Sequence, residues 1–152
     1  MKRAVGTWVV SVAMTFVAHA ASLPVTEATI YTKGGEVPFS LEVAATPDAR
    51  MTGLMNRTEM GSEDGMLFLF PKAHDYAFWM KNTEIPLDIL YVNAKRRIVH
   101  IEHSATPNTL TERAAGEPVV SVIELDGGRA SREGVAVGDH VRYELSPEIS
   151  IH

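Results

Sequence analysis

Gly65-Met66-Leu67-Phe68-Leu69-Phe70, closed by Pro71, is a six-residue apolar run with no polar alternation. A run this short is read as a strand covered on both faces, since a buried helix needs about ten residues or more. Upstream, Thr58 to Asp64 is polar and holds Gly61, so it is a connection. Before it, Thr46-Pro47-Asp48 opens a helix, with Thr46 as N-cap, Pro47 at the first helical position and Asp48 at the positive end of the dipole. Met51, Leu54 and Met55 then give that helix a buried stripe, and it should end near Arg57. Further back, Ala28 to Thr32 and Val37 to Ala44 flank Lys33-Gly34-Gly35-Glu36, which is a hairpin signal.

Downstream, three more strands are predicted at Tyr76 to Lys81, Leu87 to Asn93 and Arg97 to His103, the last two joined by the turn Asn93-Ala94-Lys95-Arg96. Residues 104–117 lack a period and hold Pro107 and Gly116, so they form a long surface loop of the kind that often carries function. Val119 to Leu125 is a strand stopped by Gly127-Gly128, Arg129 to Glu133 a single helical turn, and His140 to Leu145 a last strand before a loose tail from Ser146. The total, about eight strands and one helix, predicts a mainly β (α+β) fold: a compact antiparallel sheet, barrel-like or a sandwich, with one covering helix.

The first twenty residues stand apart. Lys2 and Arg3 precede an apolar stretch from Ala4 to Val17, and Ala18-His19-Ala20 has the small-x-small form that signal peptidase reads. The apolar part is shorter than the roughly 20 residues of a spanning helix, so a cleavable signal is favoured over an anchor. Residues 1–20 are thus a Sec-type signal, residues 21–152 one domain, and the expected address is periplasmic or secreted. The chain has no cysteine, which removes a lipid-modified terminus, disulfides, thiolate metal sites and a thiol nucleophile. Its formal charge of −5 becomes −7 without the signal, which holds two positive charges and no negative one. That balance argues against nucleic acid and anionic lipid as partners, and no second apolar stretch implies membrane insertion after cleavage.

Chemistry-bearing residues concentrate between Asp75 and Ile89. As a strand, Tyr76 to Lys81 would put Phe78, Met80 and Asn82 on one face and Ala77, Trp79 and Lys81 on the other. An aromatic platform at Trp79, with Lys81, Asn82 and Thr83 as donors, suits a sugar, a carboxylate or a peptide end. The plainer alternative makes Trp79 core, Lys81 solvated and Asn82-Thr83 a turn before Pro86. Asp88 shares a strand face with Leu90 and Val92, so its carboxylate needs a partner or a raised pKa. Arg50 and Arg57, seven positions apart on one helix face, are the predicted partners; a structural ion pair competes with a catalytic carboxylate or anion site. His74 and Asp75 form a weaker acid-base pair. Met51, Met55, Met60, Met66 and Met80 invite a Cu(I) reading, but ordinary core packing explains them better, and no metal or cofactor is called for. There is no phosphate loop, His-Glu-x-x-His element or Gly-x-Ser-x-Gly elbow.

Four blocks together resemble the DUF192 family, also called UPF0127, of small and often exported prokaryotic proteins. They are Arg50-Met51-Thr52-Gly53-Leu54-Met55-Asn56-Arg57, Gly65 to Phe70, Phe78-Trp79-Met80-Lys81-Asn82-Thr83 with Ile85-Pro86-Leu87-Asp88, and Val122 to Gly128 followed by Gly138-Asp139. Asp126-Gly127 departs from the usual small residue before the glycine. The resemblance implies a strand-rich single domain and brings no established activity. The leading expectation is an exported binding or accessory module for a small envelope-derived ligand (sugar, peptide or carboxylate), held by Trp79, Lys81, Asn82 and Thr83 and backed by Arg50, Arg57 and Asp88. The alternatives are an envelope-polymer hydrolase or lyase with Asp88 or Asp75 as acid-base residue, and a purely structural role for all seven.

Overall fold

The computed structural model describes residues 22–60 and 63–152. The segment read as a signal, residues 1–20, lies outside them. The described chain runs β1 (Val25–Thr32), β2 (Gly35–Ala44), α1 (Pro47–Thr52), β3 (Gly65–His74), β4 (Leu87–Val92), β5 (Ile98–Ala105), β6 (Val119–Asp126), α2 (Arg129–Arg132) and β7 (His140–Tyr143). These seven strands form one sheet in the order β5-β4-β6-β3-β2-β1-β7. Every neighbouring pair is antiparallel except β2–β3, which is parallel because the crossover through α1 returns the chain to the same end. Among the described residues no ladder closes the sheet. Its edges meet at one corner, where the Ile98 and Val141 amides donate to the Asp139 and Arg96 carbonyls at 3.0 and 2.8 Å.

The curl gives the sheet an inner and an outer face, each with its own apolar cluster. Ile30, Phe39, Leu41, Leu67, Leu90 and Ile123 belong to the inner one. Met66, Phe68, Met80, Ile89, Tyr91 and Val122 belong to the outer one. Residues alternate between the two along β3, β4 and β6, so these central strands are apolar on both sides, as the run at Gly65 to Phe70 requires.

Several expectations are met locally. The β1–β2 hairpin turns at Lys33-Gly34, with Thr32 opposite Gly35. The Thr46 hydroxyl accepts from the Ala49 amide at 3.2 Å, and Pro47 is the first helical residue. Others need correction. α1 stops at Thr52 rather than Arg57, because Gly53 takes φ 47°, and of the expected stripe only Leu54 is buried while Met51 is exposed. β3 continues through Pro71, which sits where the register against β6 shifts and no ladder amide is needed. Residues 76–81 make no sheet strand. Their backbone instead pairs with residues 109–113: Phe78 and Arg113 exchange amide–carbonyl bonds at 2.8 Å, and the Met80 amide donates to the Thr109 carbonyl at 2.9 Å. The tail returns to the body too, its His152 amide donating to the Ala45 carbonyl at 3.2 Å.

Candidate functional site

The two segments after β3 and β5 knit together over the outer face. The Tyr91 hydroxyl donates to the Arg113 carbonyl at 2.7 Å, and the Arg113 guanidinium reaches Glu102 at 3.1 Å and the Thr109 hydroxyl at 3.0 Å. Under this cover Phe78 stands edge-on to Phe68, with centroids 5.0 Å apart and planes at 89°. Phe70 and Tyr76 stack beside them at 3.7 Å. Between these rings and α1 the structure leaves a cavity of about 290 Å³. Met51 and Trp79, both exposed, stand at its mouth.

Glu124 lies at the inner end of that cavity. It is 4% exposed and sits in register between Met66 of β3 and Ile89 of β4, both fully buried. No described residue hydrogen-bonds or ion-pairs with its carboxyl. Burial alone therefore raises its pKa, to about 8, because the charged form has lost its water and gained nothing. The nearby Tyr91 hydroxyl is pushed up as well, first by burial and then by the charge of Glu124.

Three of the residues expected at a site meet here: Arg50, Trp79 and Thr83 line the cavity. Arg50 is already committed, its guanidinium donating to the Ala45, Leu69 and His152 carbonyls at 2.7, 2.9 and 2.5 Å and resting 5.4 Å from the Phe70 centroid. Thr83 is buried and gives its hydroxyl to the Lys81 carbonyl at 3.2 Å. Lys81 is not part of the lining, but its ammonium lies 5.4 Å from the ring of Trp79 at the mouth, and Asn82 is a left-handed turn residue at φ 51° whose carbonyl accepts from the Asn56 amide. Arg57 forks onto Glu42 at 2.5 and 2.8 Å in a separate depression beside β2.

Asp88 corrects the predicted arginine pairing. It is fully buried on the inner face and accepts from three backbone amides: Ser104 at 2.8 Å, Gly128 at 3.0 Å and Ala130 at 2.8 Å. Two of those open α2, so the carboxylate caps that helix and ties it to the end of β5. Its carboxylate is sealed from solvent in this structure. Asp75 holds the Gly116 amide at 3.1 Å, a loop tie rather than half of an acid-base pair. No group of three His, Asp or Glu is placed for a metal among the described residues.

Glu124 is not among the residues expected at a site, although its sequence signal matches that of Asp88. It shares a strand face with the apolar Val122 and is flanked by Ile123 and Leu125. The same rule that singled out Asp88 finds it.

The model of the DUF192 family, described as Uncharacterized ACR, matches residues 29–143. The chain belongs to the DUF192 family. Two solved structures resemble this DUF192 protein over most of their length. One, from Sinorhizobium meliloti 1021 and provisionally described as a transcription regulator, is 33% identical with a TM-score of 0.78, over 82% of this chain and 98% of its own. The other, a protein of unknown function from Novosphingobium aromaticivorans DSM 12444, is 37% identical with a TM-score of 0.76, over 90% of this chain and 99% of its own. No curated protein matches.

Proposed function

We propose that this DUF192 protein is an exported binding module of the cell envelope, with the cavity between α1 and the outer sheet face as its ligand site. The observation that carries this reading is a ring-walled cavity, open at Trp79, that ends on one buried and unpartnered carboxyl. Large apolar walls with a few polar groups are what a small-ligand site requires. Glu124 is the sole acidic group in the lining, so hydrolysis of a glycoside by paired carboxylates has no second partner here. The net charge of −5 gives no support to carrying a regulator's nucleic-acid role over from the relative.

Titration of the full chain with muropeptides, oligosaccharides and short peptides, read through the Trp79 fluorescence and calorimetry, tests the site. Saturable binding that Trp79→Ala weakens at least about tenfold is expected, as for truncation of an aromatic anchor. Binding indifferent to Trp79→Ala and to Thr83→Val places the ligand elsewhere.

A further inference from the structure

The cavity has more to say about the charge of what enters it. Its inner end offers a carboxyl without a hydrogen-bond donor or cation, and its walls offer ring faces. Phe68 and Phe78, perpendicular to one another, make a corner. A neutral ligand bearing only acceptors can take the O–H of the protonated acid but would leave an ionised Glu124 as costly as before. An ammonium would remove that cost, since it supplies the missing counter-charge and is attracted by the ring faces as well.

From this arrangement we infer that the cavity takes an organic ammonium, an amine-bearing or quaternary small molecule, with its positive end against Glu124. The assignment rests on the reading of the cavity as a ligand site and adds the ligand's charge. The groups around the carboxyl leave it free to act. β3 presents Met66 and Phe68, β4 presents Ile89 and the neutral Tyr91 phenol, and the segment after β3 presents Tyr76 and Thr83. α1 presents Arg50, three of whose five N–H donors go to the Ala45, Leu69 and His152 carbonyls, and no ion pair or hydrogen bond joins it to Glu124. Arg113 lies behind Tyr91, bound to Glu102.

Uptake then carries a proton count. Below about pH 8 the empty site holds Glu124 protonated, and an arriving ammonium favours the carboxylate, so one proton leaves as the cation enters. Affinity for the cation should therefore climb with pH up to that value and then level.

Calorimetric titration of the full chain with 2-phenylethylammonium and with its neutral counterpart 2-phenylethanol tests this, as ordinary amines stay protonated from about pH 6 to about pH 8.5. The ammonium should gain up to about tenfold in affinity per pH unit up to about pH 8, with heats that vary with the buffer's ionisation enthalpy as a proton is released. Glu124→Gln should flatten that slope and cost at least about tenfold at pH 8.5, leaving 2-phenylethanol unaffected. Should Glu124→Gln fail to fold, the wild-type pH slope and buffer-dependent heat decide alone. An ammonium that binds no better than the alcohol, with alcohol binding lost in Trp79→Ala, overturns the charge assignment and leaves the site standing. Failure of both probes at every pH overturns the site as well.

Discussion

Glu124 and Asp88 face opposite sides of the same sheet, and their surroundings give them opposite work. Asp88 has three amide donors and stabilises its charge locally. Asp88→Asn keeps the size but puts an NH₂ where an acceptor is needed, so a loss on the order of 3 kcal/mol is expected, seen as a lower urea midpoint with an unchanged slope. An unchanged midpoint would mean the cap contributes nothing. Glu124 has no donor, and its folded-state pKa near 8 stands above the ordinary 4.5. Between those values the folded chain holds the extra proton, so its stability falls as pH rises, by at most about 1.4 kcal/mol per unit. Below that window the slope vanishes, and above it the loss is complete. Glu124→Gln should abolish this decline, so the variant's thermal midpoint gains on the wild type from pH 5 to about pH 8.5; parallel curves would show a carboxylate already paired. Asp88 was legible as a buried acid, yet its partners were not. They are amides up to 42 positions away, and no side-chain pattern announces them.

At the scale of elements, sequence patterns told more about covering than about pairing. The double-faced strand at Gly65, the β1–β2 hairpin and the Thr46 cap were legible because each is set by neighbouring residues. The parallel β2–β3 pair was not, since its direction depends on the crossover between residues 45 and 64. In residues 76–81 the alternation was right, with Phe78 and Met80 turned inward and Ala77, Trp79 and Lys81 exposed. The partner was a loop instead of a strand, so the sheet assignment failed. Close packing also explains Gly65. A Cβ there would lie 2.0 Å from the Glu124 carbonyl oxygen, a backbone atom that cannot swing away. Gly65→Ala should push β3 off β6 at a cost of about 3 kcal/mol and loosen the floor of the cavity. A urea midpoint within error of the wild type would show that the two strands have slack.

For the molecule as a whole, the curled sheet makes two cores, and the one outside the curl is finished by loops rather than strands. That is why the cavity opens on the outer face. The inner face is filled by the sheet itself and by α2, whereas α1 and residues 75–86 meet over the outer face without filling it. Export is the companion proposal. Expression of the full chain in a Gram-negative host should release a periplasmic protein whose terminal sequence begins at Ala21. An intact Met1 or Lys2 terminus in the cytoplasm would contradict it. The cavity is tested most directly by carbon NMR of the Glu124 carboxyl, titrated with and without 2-phenylethylammonium. A midpoint near 8 is expected in the free protein, displaced downward when the ammonium is bound. A midpoint at the ordinary 4.5, unmoved by the cation, would contradict it.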